Sequence, residues 1–167
     1  MTGTATLTNI SGDAGRDILF AITDDNGINY RLICIDGIGA AQGTIAPSRQ
    51  IDASNFGVGL AYSGASDRLY VGKHEPANPA GTARVLVISN ASAASGLVTP
   101  DVLQGPLSGI DGYIVGLQVI PADDALFVGC ANASLLAYPF ASTITGDTQP
   151  QSTGRIAGNS FLVVPAG

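Results

Sequence analysis

His74 is the only histidine of the chain, and it stands between Lys73 and Glu75 in a run that ends at Pro76. Neighbouring imidazole and carboxylate groups could exchange protons with a substrate or bind a metal ion. A zinc site, however, needs three or four nitrogen, sulfur or oxygen ligands, more than this run supplies. We therefore favour a solvated loop at a subunit contact and keep Lys73, His74 and Glu75 as candidate ligand-binding residues.

A second group of candidate metal ligands, Asp24, Asp25 and Asn26, precedes Gly27. Their spacing is similar to the start of a calcium-binding loop. The bidentate Glu that closes an EF-hand loop is missing there, because the single Glu of the chain is Glu75. A hairpin turn explains the same residues, since Asn-Gly accepts the positive φ that a tight turn requires. We favour the turn and expect neither a metal nor a cofactor.

The two cysteines, Cys34 and Cys130, lie 96 positions apart and cannot form a disulfide framework. A nucleophilic cysteine needs a neighbouring base, and the single histidine is close to neither cysteine in sequence. We expect buried structural thiols. The sequence also lacks the Gly-x-Ser-x-Gly motif of hydrolases. We therefore identify no catalytic residue and predict that the chain is not an enzyme.

An internal repeat organises the chain. Residues 59–72 and 116–129 align without a gap at an offset of 57, with seven identities in fourteen positions, against about one expected by chance. With a third, earlier copy, the equivalent residues are Asp17, Asp67 and Asp124, followed by Phe20, Tyr70 and Phe127. The aspartates could ring a channel or bind calcium. We favour a turn role, because an Asp before a strand more often caps its turn by accepting backbone N–H bonds.

Each repeat unit contains short apolar runs bounded by Gly, Asp, Asn or Ser, which predicts β-strands. Four antiparallel strands in units of about 50 residues are typical of β-propeller blades. We predict an all-β fold and a single domain over 1–167, with blade-like units at 4–52, 56–107 and 113–157 and an extra strand at 160–164. The polar alternation of residues 4–10 indicates an outer or edge strand. The alternative fold is a β-sandwich of about a dozen strands.

Two runs carry a family resemblance: Leu69–Gly72 reads Leu-Tyr-Val-Gly, and Arg84–Ser89 reads Arg-Val-Leu-Val-Ile-Ser. They resemble the repeat of bacterial YVTN and lactonase-like seven-bladed propellers, with Asp-x-x-Tyr-Val on one strand and x-Val-x-Val-Ile-Asp on the next. The third unit, with residues 133–138 in the second place, matches less well. The resemblance implies a propeller architecture over most of the chain. Its motifs are structural, so it implies no catalytic residue.

The composition excludes several classes of protein. Charged residues make up 12% of the chain, with one Lys and one Glu, so a helical bundle is not expected. Hydrophobic residues make up 46%, which argues against disorder, yet no run approaches the ~18 apolar residues of a membrane-spanning helix. The net charge of −6 argues against nucleic acid and anionic membranes as partners. Residues 1–8 show no signal peptide, so we expect a cytoplasmic protein or part of a larger assembly.

Three blade-like units are too few to close a propeller, which has about four to eight blades. We therefore expect completion by a second copy, giving six blades, by a different subunit, or by the rest of a longer polypeptide. The predicted function is a non-enzymatic binding or assembly module, for example a structural component of a larger particle such as a phage virion. One alternative is a lactonase-like hydrolase or enzyme subunit. The other is a carbohydrate-binding lectin propeller, which the lack of Trp disfavours.

Overall fold

The fold is built from β-strands. The computed structural model describes residues 6–25, 29–52, 59–73 and 83–155. Within these ranges thirteen strands form three sheets, and no α-helix is present. The predicted all-β fold is therefore confirmed. No helix in this part of the chain is long and apolar enough to span a membrane.

The first sheet contains four consecutive antiparallel strands, β1 (Thr6–Asp13), β2 (Ile18–Asp25), β3 (Asn29–Asp36) and β4 (Arg49–Asp52). On β2, Phe20 and Ile22 are fully buried on one face, because successive side chains of a strand point to opposite faces. β2 and β3 pair as far as Asp25 opposite Asn29. The predicted turn at Asn26 lies outside the described residues.

The chain continues with β5 (Gly59–Ser63), β6 (Arg68–Lys73), β7 (Arg84–Ser89), β8 (Gly96–Leu97) and β9 (Asp101–Leu103). The second sheet has the order β5-β6-β7-β9, with antiparallel neighbours. The third sheet contains β10 (Ile114–Ile120), β11 (Ala125–Cys130), β12 (Ser134–Pro139) and β13 (Ser152–Arg155), again antiparallel. The predicted strand at 160–164 lies outside the described residues.

Two strands depart from the simple pattern of four per unit. β8 leaves its own unit and pairs in parallel with β4, so the first sheet has a fifth strand. This pairing covers part of the β4 edge, whose backbone groups would otherwise face solvent. β1 stands at the edge of its sheet next to β2, in the place that β5 and β10 occupy in the other two sheets. It takes this place despite its polar residues: the half-buried Ser11 hydroxyl accepts a hydrogen bond from the Tyr62 backbone N–H of β5 at 2.8 Å.

The hydrophobic core lies on both faces of the second sheet. Tyr70 and Val85 pack with residues of the third sheet, whereas Leu69 and Val71 pack with residues of the first. Because both faces are covered, β5, β6 and β7 are nearly continuous buried runs. One sheet buried between two others is the packing of a middle blade. It differs from the two facing sheets of the alternative sandwich.

Candidate functional site

The repeated aspartates hold the turns of their own sheets. Asp17, Asp67 and Asp124 adopt left-handed φ values of 52°, 51° and 46°, each immediately before the second strand of its sheet. The Asp67 carboxylate accepts hydrogen bonds from the Ser92 backbone N–H at 2.8 Å and from the Ser92 hydroxyl at 2.7 Å. Asp124 accepts the same two bonds from Ser142 at 2.7 and 2.6 Å.

Asp17 makes the simplest version of this contact, accepting one bond from the Gly39 backbone N–H at 2.6 Å. In each sheet the carboxylate therefore fixes the turn after the third strand, and not only the turn in which the aspartate stands. These oxygens are occupied by local donors. Among the described residues, no group of three His, Cys, Asp or Glu side chains could hold a metal ion.

The candidate calcium ligands are only partly described. Asp24 lies near the end of β2, and Asp25 is the last residue of that strand. The side chain of Asp25 and the whole of Asn26 lie outside the part of the chain that the structure describes. The structure therefore places Asp24 and Asp25 at one end of the first sheet, and the turn role of the three residues stays a prediction.

Polar contacts connect the first sheet to the second. Arg16 Nε donates to the carbonyl oxygen of Gly64 at 2.9 Å, and Arg16 Nη1 lies 3.5 Å from Oδ2 of Asp67. Asp67 also accepts a bond from the Tyr62 hydroxyl at 2.8 Å. Burial acts to raise the pKa of the Asp67 carboxyl, but hydrogen bonds from Ser92 and Tyr62 outweigh it and lower that pKa below its usual value.

Similar contacts connect the second sheet to the third. Arg68 Nη1 donates to the carbonyl oxygen of Ile144 at 3.1 Å, and the Tyr70 hydroxyl donates to the carbonyl oxygen of Ala141. Both acceptors lie in the segment after β12. Each junction thus has a direction, because a side chain near the start of the second strand reaches forward to the following sheet.

The repeat shows which face of each sheet is used at these junctions. Phe20 and Tyr70 are fully buried and face the following sheet. Their equivalent, Phe127, is only half-buried, and it lies on the outer face of the third sheet, since Leu126 and Val128 on either side of it face the core. The outer face of the third sheet is therefore the forward face, without a following sheet among the described residues.

The first sheet shows the complementary situation. Leu69 and Leu126 are fully buried and face the preceding sheet. Their equivalent, Leu19, is half-buried on the outer face of the first sheet, opposite to the core-facing Ile18 and Phe20. This outer face is the backward face. The first and third sheets therefore expose the two complementary faces of one type of sheet-to-sheet contact.

Lys73 lies at the end of β6, opposite Arg84 of β7. Its side chain is only 5% exposed. Both residues line a cavity of about 310 Å³ together with Leu86, Val98 and Val102. The structure therefore brings Lys73 and Arg84 together at this cavity. The other two candidates of this group, His74 and Glu75, lie outside the described residues.

Neither cysteine has the environment of a nucleophile. Burial raises the pKa of the Cys34 thiol to about 11, although the nearby Arg49 guanidinium opposes this shift. Arg49 Nη2 lies 2.9 Å from Cys34 Sγ and 2.7 Å from a carboxylate oxygen of Asp36. Burial also raises the pKa of Cys130. Both groups are therefore thiols at neutral pH, and thiols are poor nucleophiles.

Comparison with known proteins defines the class of fold and no more. No protein-family model matches the chain, that of the YVTN and lactonase-like family included, and no curated protein matches it in sequence. The chain is similar to BBS1N, a β-propeller solved in complex with ARL6DN and soaked with lead, with a TM-score of 0.55 and 16% identity. The likeness covers 93% of this chain but only 41% of BBS1N. The chain is thus a propeller-like repeat of β-sheets, spanning less than half of that relative.

Proposed function

We propose that the chain is a non-enzymatic binding and assembly module, completed by other protein chains at its two outer sheet faces. The observation that carries the proposal is the half-buried Phe127, whose equivalents Phe20 and Tyr70 are both fully buried at sheet-to-sheet junctions. Burial of an apolar side chain stabilises by about 1.5–3 kcal/mol, so a repeated apolar face favours a covered state.

Further exposed apolar side chains support a protein partner at this end. Val115 is 46% exposed and Tyr113 53% exposed on or just before β10, close in sequence to the buried Ile114. The structural neighbour BBS1N binds ARL6DN, which is consistent with a propeller-like scaffold that binds protein.

The test combines the native mass with binding of an apolar fluorescent dye. We expect wild-type particles heavier than the 16.8 kDa chain, or a single chain that binds the dye on its uncovered faces. Phe127→Asp should reduce the mass in the first case and the fluorescence in the second. The matched control is Phe140→Asn, which removes an aromatic ring that is 69% exposed. The equivalent residue of the second unit is Asn90, which is also exposed, so Asn fits at this position.

Two results would contradict the proposal. A single chain of 16.8 kDa that binds no dye, with Phe127→Asp changing neither measurement, would show that the outer faces bind nothing. A hydrolytic activity on lactones that is lost in His74→Ala would overturn the non-enzymatic assignment.

A further inference from the structure

Each of the two junctions inside the chain includes a short parallel backbone pairing. After β7, Gly96 and Leu97 cross back to the first sheet and pair with Ile51 and Asp52 of β4. After β12, Gly146 makes the equivalent bridge to Leu103 of β9. The chain that follows the third strand of one unit thus joins the outer strand of the preceding unit.

A glycine with the same backbone conformation occurs at the equivalent position of every unit. Gly43, Gly96 and Gly146 have left-handed φ values of 70°, 65° and 71°. Each stands six residues after the left-handed residue that ends the third strand, namely Gly37, Asn90 and Phe140. Because φ values in this range favour glycine, the backbone of the first unit has the same left-handed glycine as the other two units. Gly43 belongs to none of the strands of the described residues.

The outer strand of the third sheet is β13, and no following unit pairs with it in the described residues. Gly154 of β13 pairs with Leu135, as Leu103 pairs with Val85 in the second sheet. Gly154 is therefore the equivalent of Leu103, the residue that receives the crossing strand. All four residues of β13 are exposed, and in the described structure β13 pairs only with β12.

We propose that a second copy of this chain occupies the open end, in a head-to-tail contact. The third sheet of one copy packs on the first sheet of the other, and Gly43 of the second copy pairs in parallel with Gly154 of the first. This arrangement repeats, between copies, the contact that the chain makes twice within itself. The inference rests on the proposed function, because it assigns the partner of the same outer faces.

Closure follows from the symmetry of such a contact. A head-to-tail interface forms a ring if the rotation between copies closes and an open filament if it does not. Two copies with three sheets each form a ring of six sheets, within the range of about four to eight blades. Both outer faces and both open backbone edges of each copy are then covered.

A cysteine cross-link tests the register of the pairing. Because Asp52 pairs with Leu97 inside the chain, their equivalents Arg155 and Thr44 should be opposite one another between copies. Paired strands bring Cα atoms within the range of about 4.4–6.8 Å that a disulfide requires. We expect mild oxidation of a mixture of Thr44→Cys and Arg155→Cys chains to give a two-chain product containing one of each. The native cysteines are both buried.

Two controls are matched to this experiment. Asp52→Cys/Leu97→Cys in one chain is the internal counterpart and should form a disulfide within the chain. Thr44→Cys mixed with Ser152→Cys moves one thiol by three residues on the same exposed strand, which is about 10 Å, and should give little product.

The outcomes separate the two proposals. A multi-chain particle without the Thr44–Arg155 product, while the internal control does cross-link, overturns the head-to-tail contact and leaves the assembly function standing. A single chain whose outer faces bind the apolar dye also overturns the head-to-tail contact and leaves the assembly function standing, with a different protein as the partner. A single chain that binds no dye overturns both proposals.

Discussion

At the scale of single residues, Asp67 has the largest set of partners among the three repeated aspartates. Its carboxylate accepts bonds from Ser92 and Tyr62 and faces Arg16. Asp67→Asn cannot accept all of these bonds, so we expect a loss of about 1–3 kcal/mol in the free energy of unfolding. Asp17→Asn is the control, because Asp17 is exposed and its carboxylate accepts a single hydrogen bond, from the Gly39 backbone N–H. Urea denaturation of both variants at pH 7 measures the difference, and equal losses would contradict the prediction.

The same residue predicts a dependence of stability on pH. The pKa of the Asp67 carboxyl is lowered in the folded chain, whereas an unfolded Asp has a pKa of about 3.9. The stabilisation by the carboxylate is therefore complete above the unfolded pKa and is lost as the pH falls through the folded pKa. We expect the stability difference between wild type and Asp67→Asn to shrink from about pH 5 downward. A difference that stays constant down to the acid unfolding of the protein would contradict this assignment.

At the scale of elements, glycine controls how closely the second and third sheets approach. A Cβ atom on Gly72 of β6 would lie 2.9 Å from Cγ2 of Ile114 on β10, closer than real Cβ atoms approach a neighbour. We expect Gly72→Ala to cost about 1–3 kcal/mol through overpacking. In an Ile114→Ala background the same change should cost less, because the opposing methyl group is absent. A double-mutant cycle by urea denaturation measures this coupling, and additive losses would contradict it.

The elements also show what the sequence could predict. Leu69 and Leu126 recur in short apolar runs, each followed by an aromatic residue. Such runs between turn residues are typical of β-strands, so the sequence predicts the all-β fold. The sequence did not indicate the crossing of β8 to β4. Only two residue pairs make that pairing, and its one recurrent signal in the sequence is the glycine at the position of Gly96. Backbone pairing leaves little trace in side-chain type. The place of β1 is missed for a different reason, because its polar residues are typical of an outer strand although it lies where β5 and β10 lie in their sheets.

At the scale of the whole molecule, the junctions differ in charge although they share a backbone pattern. Inside the chain, Arg16 lies 3.5 Å from Asp67. In the proposed contact between copies, the equivalent of Arg16 is Asp123, which would face Asp17 of the other copy, the equivalent of Asp67. Two carboxylates face each other at this point, so the contact between copies should be weaker than the junctions within the chain.

This difference predicts a variant that associates more tightly than the natural chain. Asp123→Arg places a guanidinium group where Arg16 stands at the internal junction, opposite Asp17 of the second copy. An exposed ion pair is worth about 0.2–1 kcal/mol, and the removed repulsion adds a similar amount. Because a two-copy ring contains two such contacts, we expect the dissociation constant between copies to fall at least about fourfold. Analytical ultracentrifugation measures it, and the gain should be reduced at high salt. Asp101→Arg makes the same change in net charge at an exposed residue of the second sheet and is the control. If both variants associate equally tightly, the gain reflects net charge alone, and the proposed register between copies is wrong.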